Sequence, residues 1–284
     1  MIWVFIPAFN EENAILTLLE KVTTGLQGRE YRIVVVDDGS SDKTPVLLHE
    51  ASRKYPLQVV THSINRGLGE TERDGFEYIA VHSKQDDIIV RVEGDNTHEP
   101  GYILDLIAMI DRGYDVVNTS RFRPGGGQLG LNFQRKFISR CANLFMQTVF
   151  NIKGVRDYSC GFRAYRAGII QDAVALYGNN FIQLKGVGFT STLEILVKLK
   201  LLGCKFAEVP FVLRYDLKQG KSKMVGSITM IGYLLLGLFY HWPFGGWKKS
   251  YRNMGKMYQK DRKAAVQKFG EQNVRCSFPT KINS

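Results

Sequence analysis

The strongest constraint on the fold is a change of hydrophobic period that repeats along roughly the first 120 residues. Short β-branched runs alternate with stretches whose apolar residues recur at helical spacing. The runs predict strands at Ile2–Ile6, Ile33–Val36, Leu57–Thr61, Ile88–Val92 and Asp115–Asn118, and the stretches predict helices at Glu11–Thr24, Asp42–Lys54, Gly67–His82 and Glu99–Asp111. This alternation predicts an α/β fold with a mostly parallel central sheet, helices on both faces and right-handed crossovers.

Polar motifs follow three of these strands: "PAFNE" the first, "DDGSSDKT" the second and "EGDNTHEP" the fourth. Ligands of such sheets bind beyond the carboxyl ends of the strands, so the motifs are expected to meet at the ligand edge. No GxGxxG follows the first strand, which disfavours an ordinary dinucleotide-binding fold.

Two acidic residues, Glu93 and Asp95, stand one residue apart after a buried strand. Carboxylates at this spacing can share one cation, and Mg²⁺ and Mn²⁺ prefer oxygen ligands. The alternative is an acidic turn or a helix N-cap. Because Glu93 and Asp95 are expected at the ligand edge of the sheet, the cation-binding interpretation is favoured.

Asp37 and Asp38 are delivered by a second buried strand into a Gly-Ser turn. A carboxylate there can accept a hydrogen bond from a nucleotide base or a ribose hydroxyl. The alternative is a turn that only starts the next helix, which is the role expected of Asp42.

The second half of the chain is less regular. A glycine-rich basic loop, Arg121–Asn132, precedes a predicted helix at Phe133–Phe150. "RDYSCGFRAY" predicts a short strand-like turn, Thr190–Leu202 a helix, "KFAEVPFVLRY" a strand and "DLKQGKSK" a basic loop.

The segment Met224–Trp242 carries no charge over 19 residues. A short membrane span, an interfacial helix, and a helix packed on the core or on a second copy all fit it. From Lys248 onward ten Lys and Arg face two acidic residues, which places +8 of the net +11 in a basic tail. Such a tail suits nucleic acid or an anionic membrane surface. The expected division is 1–223 catalytic domain, 224–247 apolar helix and 248–284 tail.

The four cysteines form no CxxC or Cys/His cluster, so reduced thiols in a cytosolic protein are expected and zinc ligands are not. The N-terminus has no basic region before its apolar run, which argues against a signal peptide. Both observations predict a cytoplasmic location.

The motifs "IPAFNEE", "VVVDDGSSDKT", "NRGLGETERDGF", "EGDNTHEP", "SRF", "SCGFRAY" and "EVPFVLRY…GKSK" occur in the order seen in glycosyltransferase family 2. The chain resembles its dolichol-phosphate mannosyltransferase-like branch from about Ile2 to Lys223. The resemblance implies a GT-A fold. It also implies metal-dependent, inverting transfer of a hexose from a GDP- or UDP-sugar to a polyprenyl phosphate, with Mg²⁺ or Mn²⁺ as cofactor.

The resemblance also implies roles for individual residues. The residues expected to bind the donor are Pro7, Phe9, Glu11, Asp37, Asp38, Glu93, Gly94, Asp95, Thr97, Arg121, Arg214 and Lys223. Metal binding falls to Asp95 and Glu93. Acceptor binding falls to Arg135 and Ser139. The catalytic residues are Asp95, Arg135 and Asp157.

The chain departs from the family pattern at three places. Glu93 stands where the first aspartate of the DxD motif is usual, and Thr97 stands where glutamine is usual. The interval from Arg214 to Gly220 is longer than usual, which weakens Lys223 relative to Lys221.

Other functions remain to be separated from this one. A lipid-phosphate acceptor is already ionised, whereas a hydroxyl acceptor needs a base, for which Asp157 is the candidate. A pyrophosphorylase would show an N-terminal "GGxGTRL"-like loop, which this sequence lacks. A non-catalytic nucleotide-sugar or nucleic-acid binder is the remaining alternative. We expect peripheral association with the cytoplasmic face of an anionic membrane and no nucleic-acid partner; homo-oligomerisation is left open.

Overall fold

A seven-stranded sheet forms the centre of the molecule, for which a computed structural model describes residues 1–218 and 226–270. Its strands are β1 (Ile2–Ala8), β2 (Tyr31–Asp37), β3 (Leu57–Thr61), β4 (Ile88–Arg91), β5 (Val116–Ser120), β7 (Arg163–Arg166) and β8 (Phe206–Pro210). They lie in the order β3-β2-β1-β4-β7-β5-β8. Two further strands, β6 (Gly127–Leu129) and β9 (Val212–Arg214), pair in parallel outside this sheet. The predicted strand "KFAEVPFVLRY" is thus divided into β8 and β9.

β7 is antiparallel to both of its neighbours, β4 and β5, whereas the other pairs of the sheet are parallel. The sequence predicts only a strand-like turn here. The helix that follows, α6 (Ala167–Tyr177), is not predicted either. Most of its residues are buried, so its sequence lacks the polar face by which an amphipathic helix is recognised.

The remaining helices cover both faces of the sheet. They are α1 (Ile15–Gly25), α2 (Thr44–Ala51), α3 (Leu68–His82), α4 (Ile103–Asp111), α5 (Phe133–Phe150), α7 (Thr190–Leu202), α8 (Gly226–His241), α9 (Gly246–Ser250), α10 (Arg252–Lys260) and α11 (Arg262–Ala265). Short 3₁₀ turns occur at Pro100–Tyr102, Gly178–Asn180 and Tyr215–Leu217, and a π-helical turn at Val266–Gly270.

Three helices begin later than the sequence predicts, because the first residues after each strand belong to loops. α1 begins at Ile15 instead of Glu11, and the Glu11 amide donates to Thr44 Oγ1 at 2.8 Å. α2 and α4 likewise begin at Thr44 and Ile103. The polar residues that precede these helices therefore remain available at the sheet edge.

Alternating strand residues build two hydrophobic cores. In β1, Trp3 and Phe5 point into a core shared with α3, α5, α6, α7 and α8, while Val4 and Ile6 point into a core shared with α1, α2 and α4. This two-sided burial explains the nearly continuous apolar runs of the strands. The predicted α/β class with helices on both faces is confirmed.

The segment after residue 226 packs onto the first of these cores. Leu236 of α8 and Met254 and Tyr258 of α10 are buried there, and Tyr258 donates its hydroxyl proton to Asp172 at 2.7 Å. The predicted basic tail is therefore folded onto the domain as far as Gly270. Among residues 1–218 and 226–270, no helix combines the length and apolarity needed to cross a membrane. Met224, Val225 and residues 271–284 lie outside the described residues.

Candidate functional site

The loops that follow β1 and β2 interlock at the carboxyl edge of the sheet. The Asn10 amide donates to Ser40 Oγ at 2.8 Å, and the Ser41 amide donates back to Asn10 Oδ1 at 2.8 Å. Gly94, after β4, faces the Pro7 carbonyl so closely that a side chain there would collide with it. The three predicted motifs therefore meet at one edge, as the parallel topology requires.

Asp37 and Asp38 are neighbours in sequence but differ in their contacts. Asp38 binds the loop between β3 and α3: Oδ1 accepts from the Arg66 amide and Oδ2 from the Gly67 amide, both at 2.8 Å. Asp37 Oδ1 accepts from Ser40, whereas its buried Oδ2 has no hydrogen-bond partner within the described ranges. A buried acceptor without a partner is costly unless a ligand satisfies it, so Asp37 is the better placed of the two to bind one.

His62 lies behind this loop, between two carboxylates. Its Nδ1 is 2.7 Å from Asp38 Oδ1, and its Nε2 is 3.0 Å from Asp74 Oδ2. Hydrogen bonds to Asp38 and then to Asp74 raise the pKa of His62 from 6.5 to about 9. His62 is therefore charged at neutral pH, and it orients Asp38 beside the ligand edge.

Asp95 lies in a tight turn after β4, with both oxygens occupied. Oδ1 accepts from the Thr97 amide at 3.2 Å and from the Thr97 hydroxyl at 2.6 Å. Oδ2 forms an ion pair with the Lys218 ammonium. Burial by itself would raise the pKa of Asp95, but the charge of Lys218, the charge of His98 and the hydrogen bonds from Lys218 and Thr97 together hold that pKa below its ordinary value.

Glu93, the other predicted metal ligand, belongs to a buried ionic cluster. Its Oε1 is 2.5 Å from Arg91 Nη1, and Arg91 Nε is 2.9 Å from Glu72 Oε1. The Arg91 side chain is only 1% exposed. Since a buried guanidinium needs compensating charge, Glu93 and Glu72 together stabilise Arg91 in the sheet.

Among the carboxylates in the part of the chain that the structure describes, Asp95 is the one best placed to bind a cation. Within the described part of the chain, no three His, Cys, Asp or Glu side chains are grouped as a metal site. That arrangement still fits Mg²⁺ or Mn²⁺, which use one or two carboxylates together with waters and substrate phosphates. Moreover, Asp95 Oδ2 already faces a cation, the Lys218 ammonium. The metal role of Glu93 stays a prediction.

Arg121 and Asp157 form a buried, bidentate ion pair. Arg121 Nε and Nη2 donate to the two Asp157 oxygens at 2.7 and 2.8 Å. Burial would raise the pKa of Asp157, but the Arg121 charge and hydrogen bonds hold it below its ordinary value. A carboxylate engaged in this way is a weak proton acceptor.

Arg135 lies at the exposed start of α5, and Ser139 lies one turn further along the helix. Arg135 Nη1 donates to the Tyr215 hydroxyl at 3.1 Å. The Tyr215 ring is also 5.6 Å from Lys218 Nζ. Tyr215 therefore connects the predicted acceptor arginine to the residue that pairs with Asp95.

Arg214 is held near the site by its backbone and not by its side chain. Its amide donates to the Thr97 carbonyl at 3.1 Å, while its exposed guanidinium pairs with Asp216 at 2.8 Å. Lys223, predicted to act with Arg214, lies outside the described residues.

Sequence reasoning missed His62, Arg91, Tyr215 and Lys218. Arg91 carried a usable signal, because a lone arginine in an apolar strand requires a buried partner. Lys218 and Tyr215 carried none, since they meet Asp95 and Arg135 only through the tertiary fold.

The open α/β sheet places the unpartnered Asp37 oxygen and the Asp95 carboxylate at one edge, an arrangement that suits a ligand with a polar base and a phosphate-bound cation. Residues 3–173 match the family model "Glycosyl transferase family 2". The chain belongs to this family.

Two relatives support the predicted branch. The dolichol-phosphate mannosyltransferase of Pyrococcus furiosus is 33% identical over 232 residues, which are 81% of this chain and 61% of the relative. The undecaprenyl-phosphate 4-deoxy-4-formamido-L-arabinose transferase of Edwardsiella ictaluri is 32% identical over 201 residues, 69% of this chain and 58% of the relative. This chain thus spans about three fifths of their length. The resemblance to the polyprenyl-phosphate branch is confirmed.

Solved structures support the fold. Glucosyl-3-phosphoglycerate synthase from Mycobacterium tuberculosis, in complex with Mn²⁺, UDP and glucosyl-3-phosphoglycerate, superposes with a TM-score of 0.57 at 17% identity, covering 84% of this chain and 79% of that one. The same enzyme with Mg²⁺ and UDP gives a TM-score of 0.58 at 17% identity, with the same coverage. At this identity the likeness concerns the fold alone, and it confirms the predicted GT-A architecture.

Proposed function

We propose that the chain transfers a hexose from a GDP- or UDP-sugar to a polyprenyl phosphate at the cytoplasmic face of a membrane, with Mg²⁺ or Mn²⁺ as cofactor. The observation that carries the proposal is the setting of Arg135. Its guanidinium is exposed one turn from the exposed Ile138, on a helix that also exposes Phe133 and Phe137. A guanidinium can bind a phosphate through two parallel hydrogen bonds, and the neighbouring apolar side chains can contact a prenyl chain. This combination suits a prenyl phosphate. The names of the two relatives, which include dolichol phosphate and undecaprenyl phosphate, agree with it.

The donor would lie along the ligand edge. Asp37 Oδ2 is available to accept from a base N–H, which guanine and uracil both carry. The Pro7, Phe9 and Glu11 backbone would border the base and ribose. Asp95 would hold the cation, which supplies positive charge that stabilises the departing diphosphate.

The reaction needs no proton transfer when the acceptor is a phosphate. A phosphate oxygen of the acceptor forms a bond to the anomeric carbon while the bond from that carbon to the diphosphate breaks. Attack opposite the leaving group inverts the configuration. Arg135 would hold the acceptor phosphate, with Ser139 beside it, and the nucleoside diphosphate departs with the bonding electron pair.

The Arg121–Asp157 pair favours this route over a hydroxyl acceptor. Asp157 is fully buried, and both of its oxygens accept from Arg121. To accept a proton, Asp157 would have to give up its pairing with Arg121. The buried Arg121 charge would then be left uncompensated. Transfer to a hydroxyl with Asp157 as base is the second candidate.

The membrane surface proposed for this protein combines the outer faces of α5 and α8. α8 exposes Ile228, Ile231, Leu234 and Leu238, and the following loop exposes Trp242 and Phe244, the latter by 89%. Residues 116–156 and 217–260 contain no acidic residue, while Lys248 and Lys249 follow the aromatic loop. Apolar and aromatic side chains bordered by lysines match the interface of an anionic leaflet.

The activity is tested by incubating the full chain and Mn²⁺ with GDP- or UDP-hexoses and three acceptors. These are a polyprenyl phosphate, the corresponding polyprenol and 3-phosphoglycerate. We expect chelator-sensitive transfer to the polyprenyl phosphate alone. Transfer to the polyprenol would instead support the Asp157 route. Binding of a nucleotide sugar without transfer or hydrolysis would support the non-catalytic alternative.

Membrane binding is tested with a double variant, Trp242→Gln/Phe244→Ser, in co-sedimentation with anionic and neutral vesicles at low and high salt. Loss of two exposed aromatic side chains is expected to weaken binding by about tenfold or more. Val81→Ser is the control, because Val81 is 81% exposed on α3. Deleting residues 224–284 is unsuitable, since it would remove Leu236, Met254 and Tyr258 from the core. Equal sedimentation of the double variant and the control would contradict the proposed surface.

A further inference from the structure

The two oxygens of Asp95 are held by groups of different kinds. Oδ1 binds Thr97, two residues away, and these contacts shape the turn itself. Oδ2 binds the Lys218 ammonium, which comes from 123 positions further along the chain. A divalent cation on Asp95 needs one of these oxygens, and Lys218 is the partner that can leave without undoing the turn.

The ammonium and a divalent cation cannot share Asp95 Oδ2. Two positive charges within a few ångströms repel each other strongly at a partly buried position. Lysine, however, carries its charge on a flexible four-carbon stem, so it can move a few ångströms without moving its backbone. It also binds phosphate well as a point charge.

The backbone keeps Lys218 close to the site. The Lys218 amide donates to the Tyr215 carbonyl at 3.3 Å, and the Arg214 amide donates to the Thr97 carbonyl at 3.1 Å. Asp95 and the segment 214–218 are thus anchored to the same turn. After leaving Asp95, the ammonium would remain next to whatever the cation brings with it.

We propose that Lys218 is a donor-binding residue that exchanges partners: a divalent cation displaces its ammonium from Asp95, and the ammonium then pairs with a diphosphate oxygen of the donor. The inference rests on the metal role of Asp95 in the proposed function. Metal alone must displace Lys218, whereas metal with a diphosphate gives Lys218 a new partner. The two ligands therefore bind with positive cooperativity.

The test measures binding and not turnover. Mn²⁺ is titrated calorimetrically into the full chain without nucleotide, using wild type, Lys218→Met and Lys205→Met. Lys205 is an exposed lysine before β8, at the opposite end of the sheet from the site, so its loss removes the same charge elsewhere. Lys218→Met should bind Mn²⁺ at least about fivefold more tightly than wild type, and Lys205→Met should not. With saturating Mn²⁺, Lys218→Met should bind a nucleoside diphosphate about tenfold more weakly.

Equal Mn²⁺ affinity in wild type and Lys218→Met would overturn the proposal, whatever happens to nucleotide affinity. Far-ultraviolet circular dichroism and thermal unfolding verify that each variant is folded. Asp95→Asn distinguishes a failure of the Lys218 exchange from a failure of the metal role of Asp95. If Asp95→Asn loses Mn²⁺ binding and Lys218→Met gains none, only the exchange by Lys218 is wrong. If Asp95→Asn binds Mn²⁺ like wild type, the metal role of Asp95 is wrong as well.

Discussion

The proposed donor half and the proposed acceptor half of the molecule are built differently. In the donor half, formed by β1 to β4, polar loops bind one another, as Asn10 does with Ser40 and Ser41. In the acceptor half, formed from β5 onward, α5 and α8 leave apolar side chains such as Phe133 and Leu234 exposed. Hydrogen bonds fix a site for a small polar ligand, whereas exposed apolar faces serve a large apolar partner. Under the proposed function, one sheet therefore carries a polar donor site next to an apolar acceptor face.

Asp95→Asn is expected to have the largest effect on the proposed donor half. Loss of the carboxylate removes the proposed cation ligand from the donor half, and we expect transfer to fall by about 10³-fold or more. Steady-state transfer assays check this, with unfolding curves to show that the fold survives. Turnover within tenfold of wild type would remove Asp95 from the chemistry.

His62 offers a test of the donor half through stability. Its pKa is raised in the folded protein, so its contribution is complete below pH 6.5 and is lost as pH rises from 6.5 through about 9. Urea unfolding should show that the stability advantage of wild type over His62→Gln falls by roughly 3 kcal/mol across this window. His82→Gln, at an exposed histidine of α3, is the control. A constant difference between wild type and His62→Gln would contradict the His62–carboxylate pairing.

Arg135→Met tests the acceptor half. Removal of a charge-assisted phosphate contact should raise the KM for polyprenyl phosphate by about 10- to 100-fold, while the KM for the donor changes little. Lys136→Met provides the matched control, since Lys136 is the exposed neighbour on α5. A rise confined to the donor KM would assign Arg135 to the other half of the site.

Glu93→Asp should have the smallest effect. The shorter side chain weakens the contact with the buried Arg91 without removing the charge, and we expect about 1 kcal/mol lower stability with activity within a few-fold of wild type. Because it restores the usual DxD aspartate, a gain in activity is also compatible with a metal role for this position. Mn²⁺ titration decides: unchanged metal affinity supports the Arg91 role, and a tighter site supports metal binding.

Sequence reasoning succeeded where the strand topology alone determines the position of a residue. The positions of Asp37 and Asp95 follow from two strands whose ends must meet at one edge. For β7 it gave only a strand-like turn, because four residues are too few to show a period, and it could not foresee the antiparallel pairing with β4 and β5. Nor could it find the contacts of Tyr215 and Lys218, which depend on how a 3₁₀ turn after β9 approaches the Asp95 turn.

The packing of α8, α10 and α11 has a consequence for synthesis on the ribosome. Chains emerge N-terminus first, so the strands can form their sheet before these helices appear. Until then, core residues such as Leu196 and Tyr177 lack the cover that Leu236, Met254 and Ala265 provide in the finished fold. A nascent chain interrupted shortly before residue 226 would therefore display a broad apolar surface. Such a chain is a natural substrate for chaperones and proteases.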